Sequence, residues 1–215
     1  MRLVTYLLFF TILNSGFWAN TGQINYPANI SSAEEDFYSE LARRSKDIST
    51  VTADFVQSKH IKVVDETVVS KGSFYYKKSG NVRFDYTSPK VMSIVMNSVK
   101  LHLVTSGKTT TFQLDKQKGL SDLARVMEAC IGGDINSIPK SYRVSYRLLS
   151  NRHNLIIVPK NKEIMGPYSK IELFLNEADF SLDEMVLYEK SNDFTTYKFS
   201  NLILNRSLSG KMFLL

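Results

Sequence analysis

The chain has 215 residues, a formal net charge of +6, and 43% hydrophobic, 12% aromatic and 22% charged residues. These are the proportions of a globular protein with room for one sizeable core. The basic balance carries no Lys/Arg block and no nucleic-acid motif, so no nucleic-acid partner is expected, and a single cysteine, Cys130, excludes an internal disulfide.

Met1-Arg2 is a short positive region ahead of Leu3 to Leu13, an apolar run broken by Thr5 and Thr11. This is the layout of a secretory signal peptide, and the run is shorter than the ~20 residues that a spanning helix needs. Residues 1–20 are therefore expected to be a leader with an approximate cleavage site near Ala19, and residues 21–215 a single domain. A helix is expected from Ser32. Ser32 and Glu35 have capping-box spacing, Glu34 and Asp36 favour the positive end, and Phe37, Leu41 and Ile48 give a partial apolar stripe.

Strands follow. Thr50 to Val64, Thr67 to Tyr76 and Asn81 to Tyr86 alternate apolar and polar residues, with a tight turn at Lys77 to Asn81 in which Gly80 can take a positive φ. Phe74, Tyr76, Val82, Phe84 and Tyr86 make that apolar face unusually aromatic. After Pro89, Met92, Ile94 and Met96 alternate with Ser93, Val95 and Asn97, and Leu101 and Leu103 follow the turn at Asn97-Ser98. Ser106-Gly107-Lys108 turns into Thr109 to Leu114. This even spacing suggests an antiparallel meander.

The period then changes. Leu120, Leu123, Ala124, Met127 and Ile131 recur at helical spacing, with Ser121-Asp122 as the expected cap and Gly132-Gly133 as the stop. Strands resume over Tyr142 to Leu149, Asn154 to Pro159, Tyr168 to Leu175, Leu182 to Glu189 and Thr195 to Leu204, and Met212 to Leu215 is expected to be an extended tail.

Catalytic and metal signatures are not found. His60, His102 and His153 lack ligand spacing, Cys130 sits between the apolar Ala129 and Ile131, and no nucleophile elbow or phosphate-cradling loop occurs. Neither an enzyme nor a cofactor or metal is expected. The aromatic face needs a cover, which is either the protein's own core or a bound greasy ligand.

The order of these features resembles the periplasmic outer-membrane lipoprotein carrier family, LolA. Thr52-Ala53-Asp54-Phe55-Val56-Gln57-Ser58-Lys59 is similar to the family's F-x-Q-x-K strand, and Gly72 to Lys78 to its G-x-[FL]-x-[FLY]-x-[KR] strand. Val82-Arg83-Phe84-Asp85-Tyr86 stands where the family has R-W-x-Y, Pro89 stands at its proline, and Asp193 to Phe213 resembles its closing strand. The chain departs in having Phe84 where Trp is common, Ser79 where Pro is common, and Lys78 where an arginine links barrel to lid.

The resemblance implies an incomplete, half-open antiparallel β-barrel, mainly β with a helical lid, of the LolA/LolB-like kind. It implies a periplasmic, monomeric carrier whose hydrophobic cavity binds lipoprotein acyl chains and delivers them to the outer membrane. Its partners would be an inner-membrane lipoprotein-release transporter and an outer-membrane acceptor. The cavity would draw on Phe55, Phe74, Tyr76, Val82, Phe84, Tyr86, Met92, Ile94, Met96, Leu101, Leu103, Leu123 and Met127. Lys78 would gate the lid against Gly132 to Ser137. Two alternatives stand beside this: an envelope sensor or regulatory binding module on the same scaffold, and a carrier of another amphiphilic lipid.

Overall fold

The structure, a computed structural model, describes residues 32–114, 116, 118–161 and 166–214, without the side chains of 118–120 and 123. The expected leader, residues 1–20, lies outside the described residues. A first helix, α1 (Ser32–Ser45), precedes six strands: β1 (Thr50–Ile61), β2 (Glu66–Lys77), β3 (Asn81–Ser88), β4 (Met92–Met96), β5 (Lys100–Thr105) and β6 (Lys108–Gln113). A second helix, α2 (Lys118–Gly132), leads to β7 (Tyr142–Leu149), β8 (Arg152–Pro159), β9 (Tyr168–Asn176), β10 (Leu182–Glu189) and β11 (Phe194–Leu204).

All eleven strands join one antiparallel sheet in the order β6-β5-β4-β3-β2-β1-β11-β10-β9-β8-β7. Two meanders are thus welded along β1 and β11. The outermost strands, β6 and β7, each have one neighbour, so the sheet is not closed. Turn chemistry fixes the register. Ser106 (φ 49) with Gly107 (φ 77), and Ser150 (φ 47) with Asn151 (φ 62), are two-residue turns with positive φ at both positions, whose twist matches the strands they join. Asn97 instead closes the β4–β5 turn with its side chain, accepting from the backbone N–H groups of Val99 and Lys100 at 3.0 and 2.9 Å.

One face of the sheet is the inner core. Register carries a line of apolar side chains across it: Leu155 opposite Leu173, Leu173 opposite Met185, Met185 opposite Tyr197. All four are buried. On the other meander Ala53 faces Phe74, Phe74 faces Phe84, and Phe84 faces Ile94. The helices lie on this face. An added Cβ at Gly132 would stand 2.7 Å from the Tyr76 hydroxyl, and one at Gly133 (φ 71) 2.9 Å from Ser45 Cβ. Glycine is therefore what lets α2 end so close to both sheet and α1.

Three expectations are corrected. α2 starts at Lys118, so Ser121 and Asp122 lie inside it rather than capping it. α1 ends at Ser45, leaving Ile48 beyond the helix. The C-terminal tail is not extended: Gly210–Phe213 form a 3₁₀ helix against β3 on the outer face. Arg83 donates to the Met212 carbonyl (2.7 Å), and Phe213 is buried. An anchor for this tail 129 residues away in sequence is what local patterning could not supply.

Candidate functional site

The aromatic face is a closed cluster. Phe55 meets Phe84 and Tyr86 edge-on at 5.4 and 5.0 Å between ring centroids, Phe84 lies 4.9 Å from Phe74 and 5.5 Å from Tyr197, and Phe74 lies 5.4 Å from Phe199. These are the tilted and T-shaped geometries that aromatic quadrupoles favour. The cluster closes over Gly72, the β2 residue directly opposite Phe55. Phe55, Phe74, Val82, Phe84 and Tyr86 are each at most 5% exposed. Burial pushes the Tyr86 phenol up to about 12, with the Tyr197 hydroxyl 3.5 Å away opposing it.

The remaining expected residues continue this face toward the open edge. Met96, Ile94 and Met92 stand opposite Val82, Phe84 and Tyr86, and Leu101 and Leu103 opposite Met96 and Ile94. Met96 is buried, while Met92, Ile94, Leu101 and Leu103 are half-buried. Met127 is buried on α2; the side chain of Leu123 lies outside the described residues. Tyr76 sits under the end of α2, where burial and then the charges of Glu128 and Asp134 push its phenol up to about 12.

An apolar cavity of about 390 Å³ opens at the end of the cluster, beneath the C-terminal ends of both helices. Val51 and Ala53 of β1, Phe74 of β2, and Phe199, Leu202 and Leu204 of β11 form its floor. Leu41 of α1 and Cys130 and Ile131 of α2 form its roof. Its rim is polar: Arg43, Arg44 and Asp47 on one side, Asp179 and Ser181 of the β9–β10 turn on the other. The rim is braced by Glu40, which accepts from Arg43 at 2.7 Å and Arg44 at 2.6 Å and is held at a pKa of about 2 by those hydrogen bonds. The volume falls in the lower part of the ~300–1,000 Å³ range of small-molecule sites. Among the described residues expected to line a cavity, only Phe74 is in its wall.

The other lining residues escaped sequence reading for identifiable reasons. Ala53 and Val51 alternate correctly but are small, and Cys130 and Ile131 read as packing. Leu202 and Leu204 follow a backbone irregularity at Asn201 (φ 53) that breaks the strand's alternation.

A second cavity, of about 440 Å³ and with many charged and polar residues in its wall, lies on the other side of the contact between Ser45 and Gly133. Lys78 lines it with Lys46, Arg125, Glu128, Asp134 and Ser137. The Lys78 ammonium donates to the Lys46 carbonyl at the end of α1 (3.5 Å), and faces the Gly132 to Ser137 segment across the cavity. Among the described residues no group of His, Cys, Asp and Glu could hold a metal, and no helix is long and apolar enough to cross a membrane.

An outer-membrane lipoprotein carrier protein of Francisella tularensis subsp. novicida is 26% identical over 189 residues, which is 87% of this chain and 86% of its own. Among solved structures, a LolA superfamily protein from Nitrosomonas europaea is 11% identical with a TM-score of 0.44, covering 83% of this chain and 97% of its own. A putative outer membrane lipoprotein-sorting protein domain from Vibrio parahaemolyticus is also 11% identical, with a TM-score of 0.49, covering 83% and 95%. The sequence pattern of the outer membrane lipoprotein carrier protein LolA matches residues 46–215, and on that match this chain belongs to the LolA family.

Proposed function

We propose that the protein is a non-enzymatic periplasmic carrier that takes an acyl chain of a lipoprotein into the cavity between helices and sheet and delivers the cargo to the outer membrane. One observation carries this reading: an apolar cavity with a polar, arginine-braced rim opens at the end of an otherwise closed aromatic core. A site of that form shelters an acyl tail and leaves the polar part of its owner outside. Family membership and the carrier relatives support lipoprotein as cargo. A leader over about residues 1–20 would bring the single carrier domain to the periplasm. An inner-membrane release transporter would load it and an outer-membrane acceptor unload it.

Energetics favour one chain at a time in the closed form. Burying a methylene is worth about 0.8 kcal/mol, so several fully buried chains would bind too tightly to leave. Release then needs the lid to regain contacts as cargo departs. Lys78, poised between the end of α1 and the segment after α2, suits that role. The half-buried face of Met92, Ile94, Leu101 and Leu103 offers adaptable apolar surface for further chains once the lid moves.

The test is binding and co-purification. The mature chain should bind a fluorescent fatty-acyl probe and should co-purify with a diacylated lipoprotein when the two are produced together. Failure of both, by protein shown to be folded, overturns the carrier reading.

A further inference from the structure

On the side of the apolar cavity away from Lys78, Phe180 stands beside Arg44 in the lining. Phe180, in the β9–β10 turn, has φ 61. A bulky side chain rarely adopts that backbone, and asparagine or glycine would make the turn at lower cost. The turn itself is firmly built. Phe180 N–H donates to the Asn176 carbonyl (3.0 Å), Asn176 N–H to the Ser181 carbonyl (2.9 Å), and the Asn176 side chain accepts from Ala178 N–H (2.9 Å). The turn therefore does not explain the phenylalanine; its contacts do. The ring stacks on Phe37 of α1 at 5.7 Å and lies 4.5 Å from His153 of β8. The Arg44 guanidinium covers it at 4.7 Å and donates to the Asp179 carbonyl at 3.1 Å. Phe180 is half-buried and lines the apolar cavity with Arg44.

A strained aromatic at the rim, held by one cation–π contact and by ring contacts to Phe37 of α1 and His153 of β8, has the features of a movable plug. We propose that Phe180 and Arg44 form a side gate of the cavity: the ring narrows the mouth between α1 and the β9–β10 turn, and an acyl chain enters when Arg44 lets go and the ring swings out. The gate's physiological use rests on the carrier reading above; its existence does not. The ring is held there by a few aromatic and cation–π contacts and by the Arg44–Asp179 hydrogen bond, which ordinary thermal motion overcomes and a cargo tail can replace in part.

Cys130 tests the gate without any cargo. It is the chain's one cysteine and it is buried in the wall of the same cavity, so the rate of its labelling by a maleimide reports how readily the cavity admits the reagent. Phe180→Gly removes the plug and fits the backbone. It should speed maleimide labelling of Cys130 by about tenfold, the scale set by losing those contacts. Arg44→Met, at a rim position, should act in the same direction more weakly and guards against a folding defect in the first variant. Val95→Ala, in a buried residue of β4 that lines neither cavity, serves as a control for general destabilisation. Faster labelling in Phe180→Gly and Arg44→Met but not in Val95→Ala supports the gate. Unchanged labelling in both, or equal acceleration in the control, overturns it. A fluorescent acyl probe then separates the two readings. No binding by wild type removes the carrier function and leaves the gate. Binding with on-rates unchanged in Phe180→Gly removes the gate as the cargo's route and leaves the carrier.

Discussion

Gly72→Ala tests whether the aromatic face is the closed core described here. An alanine methyl at this position would stand 2.0 Å from the Asp85 carbonyl oxygen and 2.9 Å from Phe55 Cε1. The first neighbour is backbone, fixed by the β2–β3 ladder that pairs Ser73 with Asp85. No side-chain rotation relieves it, so the strands must part. The second belongs to a ring held edge-on by Phe84 and Tyr86. Overpacking a core costs about 1–3 kcal/mol, and a backbone clash beside a fixed ring puts this substitution at about 3. A domain of this size loses about 2–4 °C per kcal/mol, so Tm should fall by about 6–12 °C. The control is Gly107→Ala, where the backbone is left-handed (φ 77) but nothing lies within 4 Å. It carries only the backbone cost of about 1 kcal/mol, hence about 2–4 °C. Thermal unfolding followed by circular dichroism measures both. Equal shifts, or a Gly72→Ala protein within 2 °C of wild type, would refute the packing described for Phe55 over β2.

Three further outcomes are expected. Arg83→Ala removes the bonds to Asp85 (2.8 Å) and the Met212 carbonyl (2.7 Å); it should cost about 1–3 kcal/mol in urea unfolding and should make the C-terminal tail sensitive to carboxypeptidase. Burial holds the pKa of His153 and of His102 below the ordinary 6.5, so the unfolded chain binds more protons; stability should be full above that value and should fall as pH drops below it, and His153→Gln should flatten the decline in a Tm-against-pH series. Lys78→Leu should leave acyl-probe uptake intact and slow transfer to acceptor membranes, with wild-type transfer rates counting against a gating role for the Lys78–Lys46 contact.

Much of the fold is legible in the sequence because strands with one buried face alternate with period 2. Val82, Phe84 and Tyr86 are buried and Arg83 and Asp85 face outward, and Gly80, Gly107 and Gly133 adopt the positive φ that the turns and the helix stop need. α2 was harder to place. Ala124, Met127 and Ile131 of its expected stripe are buried, but Val126, Ala129 and Cys130 are buried as well, because the helix end is covered by α1 as well as by the sheet. A helix buried on two sides has no single stripe to read. The cavity was the least legible. Aromatic density drew attention to the centre of the face, where rings satisfy one another. The void lies where small residues, Val51 and Ala53, meet helix ends and a distant turn. That juxtaposition pairs segments more than a hundred residues apart, such as Val51 with Leu204, and no local pattern encodes it. Phe180 was hidden for a related reason: a half-buried aromatic in a turn reads as ordinary until its backbone and its partners on α1 are seen.

Photoaffinity mapping tests the central claim most directly. A fatty-acyl probe carrying a diazirine at its chain terminus, bound to the protein and irradiated, should label peptides containing Val51 to Ala53, Cys130 to Ile131 and Phe199 to Leu204, the floor and roof of the apolar cavity. Labelling confined to Met92 to Leu103 on the open half of the sheet, with none in the cavity peptides, would contradict it.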